Sequence, residues 1–266
     1  ARSMPKAVAA AEKVSSINPQ VKVDPIVEDV GPGNIEELIK DVDIVVDATD
    51  NMETRFLINE AAVKHGIPWI YIGVEQWRGM ILRIVPRKTA CLRCLLPRPL
   101  PEREDACRVR GVTILAASLA VSIAVSEAVK ELLNIEEGRG VLIIVDVFKA
   151  SIEKAVVRRR SDCPVCSEGL FESLRGRIER VRPICGTNSV YVRPAEKIVI
   201  NTLKLNEVPG ISVETATRFA ARLKVQGYSI VLFKDGRAIV NGTRDIHLAN
   251  KIYNSIIGKI RRSLTG

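Results

Sequence analysis

The stretch from Val42 to Asn51, Val-Asp-Ile-Val-Val-Asp-Ala-Thr-Asp-Asn, constrains the fold more than any other part of the sequence. Its apolar centre, Ile44 to Val46, is short and β-branched, which is typical of a central strand covered by helices on both faces. Polar residues follow at once, and a helical pattern begins at Met52. The pattern therefore predicts a polar cluster at the carboxyl end of a strand and just before a helix, where α/β sheets bind ligands and helix N-termini favour anions.

Two members of this cluster suggest a nucleotide site. Asp50 has a carboxylate of the kind that holds Mg²⁺ against nucleotide phosphates. Asn51 stands where a side-chain oxygen can cap the following helix. The alternative interpretation is that the whole cluster, which also contains Asp47 and Thr49, only caps the helix and binds no metal.

The order of elements indicates an α/β fold. Helical and strand patterns alternate from Pro5 to Val85, including a strand around Val21 to Ile26, and this order predicts a mostly parallel, Rossmann-like sheet with flanking helices. This domain is predicted to span residues 1–168. Residues 169–266 are predicted to form a small α+β domain, with a helix over Val213 to Gln226 and a hairpin turn at Asp235-Gly236.

Four of the six cysteines form two Cys-x-x-Cys pairs, Cys91 with Cys94 and Cys163 with Cys166. Each pair offers two thiolates on one turn, and two such turns complete a tetrahedral shell, so the spacing predicts a structural Zn²⁺ site. Such an ion would close a long loop, because the two pairs are far apart in the sequence. Two redox-active dithiols or two unrelated buried pairs are the alternatives.

The other two cysteines are Cys107 and Cys185. Cys107 has Arg103, Arg108 and Arg110 nearby, and positive surroundings lower the pKa of a thiol, so this residue is a candidate nucleophile. The alternative is an incidental surface thiol. Cys185 is predicted to be structural.

Composition narrows the class of protein further. The net charge of +9 would suit phosphates, nucleic acid or an acidic protein. Nucleic acid is disfavoured, because only 4% of the residues are aromatic and the basic residues form no single stripe in the sequence. No signal peptide is predicted. The longest apolar run, from Val112 to Val125, is interrupted by Ser118 and Ser122, so it is predicted to be a buried helix and not a membrane span. The cysteine usage favours the reducing cytoplasm.

Several motifs in the first two thirds of the sequence form a combination that is typical of one protein family. They are the Asp-Ala-Thr-Asp-Asn box, Arg55, Asn59, Gly73, Gly79, Cys91, Cys94, Cys107, Arg110-Gly111-Val112, Glu127, Lys130, Cys163 and Cys166. Together they resemble the ThiF/MoeB/HesA family of adenylyltransferases, which are relatives of the ubiquitin-activating enzymes. The first helix, which begins at Met4-Pro5-Lys6, is similar to the Pro-Lys helix of this family.

The resemblance implies a specific reaction. Members of this family use MgATP to adenylate the C-terminal glycine of a ubiquitin-like, β-grasp sulfur carrier protein for thiamine, molybdopterin or tRNA sulfur chemistry. On this resemblance Asp50 binds Mg²⁺ and Lys6 the phosphates, while Asn51 and Arg55 are further candidates for cofactor binding. Arg55 is more often a structural partner of the box than a direct ligand. Cys107 matches a family cysteine that accepts acyl or sulfur chemistry in some members, and a homodimer is implied.

One part of the family pattern is not in this sequence. Relatives carry a strand and a Gly-x-Gly-x-x-Gly turn before the Pro-Lys helix, whereas five residues precede Lys6 here and Gly31-Pro-Gly33 lacks the third glycine. We therefore expect a nucleotide-binding N-terminal half that is missing from this sequence or supplied by a separate polypeptide. The alternative is a non-catalytic scaffold that holds a carrier protein or a catalytic partner.

Overall fold

The computed structural model describes residues 4–97, 111–176, 181–184, 187–194, 196 and 198–264. The chain divides into a larger unit, Val30–Ile178, and a smaller unit made of Ala1–Asp29 and Glu179–Gly266. The domain boundary predicted after residue 168 stays a prediction. Among the described residues, no helix combines the length and the apolar character needed to cross a lipid bilayer.

The helices are α1 (Lys6–Ile17), α2 (Ile35–Ile39), α3 (Met52–His65), α4 (Leu92–Leu95), α5 (Ile114–Leu132), α6 (Glu172–Arg175) and α7 (Ile246–Leu264), with a 3₁₀ helix at Thr202–Glu207. The strands are β1 (Val45–Val46), β2 (Trp69–Glu75), β3 (Arg78–Ile84), β4 (Val141–Asp146), β5 (Ser151–Val156), β6 (Val181–Pro183), β7 (Ser189–Val192), β8 (Ser212–Ala216), β9 (Ala220–Val225), β10 (Tyr228–Phe233) and β11 (Ala238–Asn241).

The larger unit contains a five-stranded sheet in the order β1-β2-β3-β4-β5. The predicted α/β class with flanking helices is confirmed. Within the described residues the sheet is mixed, however, which differs from the mostly parallel sheet that was predicted: β1 and β2 are parallel, and the other three pairings are antiparallel. Short turns after β2 and β4 permit only antiparallel pairing of the strands that they join, whereas β3 and β4 are joined by a long connection that contains α5.

Helix α5 packs closely on this sheet through small residues. Its buried side carries alanines at a spacing of four residues, namely Ala116, Ala120, Ala124 and Ala128. A Cβ added at Gly79 of β3 would lie 2.7 Å from the Ala120 Cβ, so this glycine is required by the close approach of helix and strand. The long apolar helix that the sequence predicted is therefore confirmed.

A buried ion pair network ties β3 to the end of α5. The Arg83 side chain is fully buried, and its Nε lies 3.2 Å from Glu127 while its Nη1 lies 3.5 Å from Glu131. The guanidinium also donates to the carbonyls of Ile135, at 2.9 Å, and Glu137. These contacts balance the charge of a buried arginine, which would otherwise be strongly destabilising.

The smaller unit contains a six-stranded antiparallel sheet in the order β6-β7-β11-β10-β9-β8. Helix α7 covers one face of this sheet, and its Ile252 and Ile256 belong to the same buried cluster as Leu223 and Ile230. The predicted hairpin at Asp235-Gly236 is confirmed, with Gly236 in the left-handed region at φ 83°.

Two sequence predictions were wrong. The helix predicted over Val213 to Gln226 is instead the antiparallel pair β8 and β9, because Ala221, Leu223 and Val225 alternate inward with a period of two. The strand predicted over Val21 to Ile26 is extended chain without ladder pairing in the described residues. Three alternating apolar residues are too short a pattern to secure a place in a sheet.

Candidate functional site

The carboxyl end of β1 is shaped by the buried side chain of Asp47. The Asp47 carboxylate is 1% exposed, and its Oδ1 accepts hydrogen bonds from the backbone N and the Oγ1 of Thr49 at 2.8 and 2.7 Å. Such a turn redirects the backbone within two residues. The polar cluster that the sequence predicted at this edge is therefore held in one conformation by Asp47.

Arg55 reaches back from the first turns of α3 to hold the same edge. Its Nε lies 3.3 Å from the Asp47 Oδ2, and its Nη2 donates to the carbonyls of Thr49 and Ile72 at 2.7 and 2.9 Å. The guanidinium also lies 5.3 Å from the centre of the Tyr71 ring. These contacts join the ends of β1 and β2, and they support the structural role that the sequence favoured for Arg55.

Burial raises the pKa of Asp47, while the hydrogen bonds from Thr49 and the charge of Arg55 oppose this shift without cancelling it. The ionised carboxylate therefore depends on these two partners. The sequence predicted neither the ion pair of Asp47 with Arg55 nor the burial of the Asp47 carboxylate. One sequence feature could have indicated this burial, because the hydrophobic strand runs without interruption into Asp47.

Asn51 caps helix α3, as the sequence predicted, because its Oδ1 accepts a hydrogen bond from the backbone N of Thr54 at 2.8 Å. The neighbouring Asp50 is exposed, and its Oδ1 lies 3.5 Å from the Asn51 Nδ2. The helix N-terminus and the exposed carboxylate thus lie next to each other in the chain. An anion held by the helix and a cation held by Asp50 would be adjacent here.

The sequence named two further candidates, Lys6 and Cys107. Lys6 is exposed at the first residue of α1, which belongs to the smaller unit. Cys107, the candidate nucleophile, lies outside the described residues, as does Cys185.

The four paired cysteines come together in the larger unit. Their sulfur atoms all lie within 4.8 Å of one another, with Cys91 and Cys163 separated by 3.6 Å and Cys94 and Cys166 by 3.5 Å. Four thiolates around one tetrahedral ion at about 2.3 Å would be separated by about 3.8 Å. The donor set and its spacing therefore fit a single metal ion.

The surroundings of the sulfurs also favour a cation. The hydrogen bond from Cys91 to Cys94 raises the pKa of Cys91 and lowers that of Cys94 to about 4, while burial raises the pKa of Cys163. The backbone N of Arg160 lies 3.5 Å from the Cys94 sulfur. The Cys94 sulfur is thus ready to be a thiolate, whereas the Cys91 and Cys163 thiols need a positive ion nearby to ionise.

Helix α3 connects the two sites. The Asn59 Oδ1 accepts a hydrogen bond from the backbone N of Leu92 at 2.8 Å, which fixes the turn that carries Cys91 and Cys94. Asn59 follows Arg55 by four residues, so both side chains project from the same side of the helix. The sequence contained Asn59 as part of the family resemblance, but its role becomes visible only in the structure.

Comparison with known proteins identifies the family to which the chain belongs. Residues 2–165 match the model of the ThiF family. The sulfur carrier protein ThiS adenylyltransferase of Bacillus subtilis is 36% identical over 265 residues, which is 97% of this chain and 77% of that protein. The chain therefore belongs to the ThiF family.

Other relatives match a little under two thirds of the chain. The SAMP-activating enzyme E1 of Haloferax volcanii is 36% identical, and the sulfur carrier protein adenylyltransferase of Thermus thermophilus is 34% identical. These matches cover 64% and 62% of this chain, and in both cases the chain spans 63% of the relative's length.

Among solved structures, E. coli MccB crystallised with ATP is similar with a TM-score of 0.54 and 18% identity. The match covers 62% of this chain and 51% of that one. At this level of identity the likeness shows the fold alone.

The cysteine cluster predicts a measurable metal content. We expect the purified chain to bind about one metal ion, and Cys94→Ser to lose it and to unfold at a lower urea concentration, because three thiolates close the shell poorly. Inductively coupled plasma mass spectrometry gives the metal content and circular dichroism the unfolding midpoint. Cys107→Ser is the matched control and should retain the ion; equal metal in Cys94→Ser would contradict a shared site.

The Asp47 and Arg55 pair predicts a loss of stability that depends on pH. Arg55→Ala should lower the free energy of unfolding by about 2–4 kcal/mol at pH 7, because it leaves a buried carboxylate and two carbonyls without their donor. Urea denaturation at pH 5 and pH 7 measures this loss.

The raised pKa of Asp47 determines how the stability loss changes with pH. The folded state binds this proton more tightly than the unfolded state, so stability falls as the pH rises from the ordinary aspartate pKa through the raised one. Removing Arg55 raises that pKa further, and the loss of stability should therefore be larger at pH 7 than at pH 5.

Arg78→Ala, which removes an exposed partner of Asp146, is the control and should lower the stability less at both pH values. An equal loss at pH 5 and pH 7 would refute this account of the pair.

Proposed function

We propose that this chain belongs to an ATP-dependent adenylyltransferase that activates the C-terminal glycine of a ubiquitin-like sulfur carrier protein and releases pyrophosphate. Its relatives carry the names of enzymes that activate such carriers. The observation that carries the proposal is the edge held by Asp47 and Arg55, which leaves Asp50 exposed beside the capped N-terminus of α3.

In this reaction a carboxylate oxygen of the carrier attacks the α-phosphorus of ATP, and the bond from that phosphorus to the bridging oxygen of pyrophosphate breaks. Negative charge moves to the leaving group. Asp50 would hold Mg²⁺, which offsets this charge. Lys6 would contact the phosphates, while Asn51 and Arg55 would keep the start of α3 in place.

The phosphate-binding glycine turn of the family is not among these 266 residues. We propose that it comes from polypeptide outside them, either in the same protein or in a partner. Cys107 remains the candidate for accepting an acyl group or sulfur.

For the cysteine cluster we propose Zn²⁺. Four sulfur ligands suit zinc, and they leave no coordination position for substrate, so the ion would be structural. Four free thiols persist in a reducing compartment, which supports a cytoplasmic location.

The alternative function is a non-catalytic scaffold. A substitution of Asp50 distinguishes the scaffold from the enzyme. For the enzyme, Asp50→Asn should reduce ATP–pyrophosphate exchange by about 100-fold or more, because a lost metal ligand weakens stabilisation of the leaving group. The assay contains the carrier protein and the glycine-rich half. Asp43→Asn, an exposed aspartate before β1, is the matched control. Unchanged exchange in Asp50→Asn would support the scaffold instead.

We also propose that the chain forms a homodimer through α5. The side of α5 opposite its alanines exposes apolar residues, with 49% of Val121, 50% of Val125 and 47% of Val129 accessible. A helix that is apolar on all sides is normally buried on all sides. A second copy of the same helix would cover this stripe with equally apolar residues.

The dimer predicts a change of mass on substitution. Val125→Glu should convert the dimer to a monomer, because two carboxylates would be buried at the centre of the interface. Size-exclusion chromatography with light scattering measures the mass. Val199→Glu replaces a more accessible valine of the smaller unit, which is 70% exposed, and should remain dimeric. A wild-type monomer, or a dimer that tolerates Val125→Glu, would exclude this interface.

A further inference from the structure

The net positive charge of the protein comes from its C-terminal part. Residues 181–266 contain 14 Lys and Arg but only 5 Asp and Glu, whereas residues 1–180 contain 26 of each kind. The whole net charge of +9 therefore belongs to the segment that builds the six-stranded sheet. A segregated charge of this size indicates a surface that meets a negatively charged partner.

This sheet has one covered face and one outer face. Alternate residues such as Leu223, Ile230 and Val240 point to α7, and their neighbours lie on the opposite side. We call that side the outer face; it carries Arg182, Tyr191, Arg222, Lys224, Val231, Phe233 and Ile239. Among the six strands, Glu214 at the irregular position of β8 is the only acidic residue.

The basic residues at the centre of β9 are available to a partner. Arg222 and Lys224 are exposed, and neither forms an ion pair with a described residue. They project from one strand two residues apart, so their charges lie side by side on the outer face. Uncompensated charges in this arrangement attract an acidic surface and orient its approach.

Three aromatic rings in this unit are already covered by arginines. The guanidinium carbon lies 5.5 Å from the ring centre in Arg182 with Tyr191, 5.0 Å in Arg237 with Phe233, and 4.7 Å in Arg218 with Phe219. Stacking holds a guanidinium in a fixed plane, ready to bind carboxylates. It also occupies the rings on which bases of single-stranded nucleic acid would stack, so the arrangement favours an acidic protein over RNA.

A carboxylate already occupies one end of this face. Tyr191 and Arg193 both donate hydrogen bonds to the side chain of Asp29. Burial and the nearby Asp29 raise the pKa of Tyr191 to about 12, so its hydroxyl remains a donor at neutral pH. The surface therefore binds an acidic side chain within this chain itself.

We propose that the outer face docks an acidic surface of the sulfur carrier protein, and this inference rests on the proposed function. Docking here would tether the carrier to the chain that activates it and would thereby raise its local concentration, without any part in the chemistry. The contact is electrostatic, so it should form without ATP and weaken as salt increases.

The test measures binding apart from catalysis. The source organism's sulfur carrier protein, with its C-terminal glycine removed so that it cannot be adenylated, is titrated into the 266-residue chain without ATP by isothermal calorimetry. The double variant Arg222→Glu and Lys224→Glu should bind the truncated carrier with an affinity reduced by at least about tenfold. The double variant Lys204→Glu and Lys251→Glu makes the same change of charge at exposed residues away from the outer face and should bind normally. Thermal unfolding verifies that both variants fold.

The possible results are distinct. Equal binding by both double variants, or no carrier binding by the wild-type chain, would overturn the docking surface. A labelled single-stranded RNA that binds the wild-type chain while the carrier does not would also overturn it. If the truncated carrier binds through this face but the intact carrier is not adenylated, the docking stands and the proposed reaction fails. If the intact carrier is adenylated but both double variants bind the truncated carrier equally, the reaction stands and the docking surface fails.

Discussion

The larger unit depends on three polar side chains of helix α3, of which Asn59 and Glu60 are buried and Arg55 is partly buried. Arg55 holds the ends of β1 and β2, Asn59 holds the turn before α4, and Glu60 accepts hydrogen bonds from the Ser173 Oγ and the Leu174 N at 2.8 and 3.1 Å. A buried polar group is costly unless its partner is in place, and each of these contacts therefore has one permitted geometry. Hydrophobic packing alone tolerates small shifts. These polar contacts set the positions of the loops around one rigid helix.

The two candidate sites are consequently parts of one framework. The Asp47 edge and the first cysteine pair are both bonded to α3, through residues one helical turn apart. An ion at the sulfurs would join a turn near residue 91 to another near residue 163, and it would thereby restrict the same helix that presents Asp50. Its contribution would be to the precision of the site, because chemistry that relies on charge stabilisation requires its groups to be fixed beforehand.

Sequence patterns predicted the long elements well and the tertiary contacts poorly. Helix α5 and the hairpin at Asp235-Gly236 were predictable because a continuous apolar pattern and a specific turn sequence each have one simple interpretation. The segment from Val213 to Gln226 has no such unique pattern, and its pairing with β10 decided its structure. The cysteine pairs could be predicted from spacing, whereas the ion pair of Asp47 with Arg55 could not, since nothing local distinguishes a buried aspartate from an exposed one.

The charge distribution shows why composition must be combined with topology. The first 180 residues contain equal numbers of both signs, so the excess of basic residues becomes visible only when the two parts of the chain are counted separately. The antiparallel sheet of the smaller unit then separates side chains by their position in the strand, placing Leu223 under α7 and Arg222 and Lys224 outside. A period of two therefore brings Arg222 and Lys224 together on the outer face. Such a face gives a sulfur carrier an electrostatic reason to bind before it reacts, which is a separate requirement from the chemistry at Asp50.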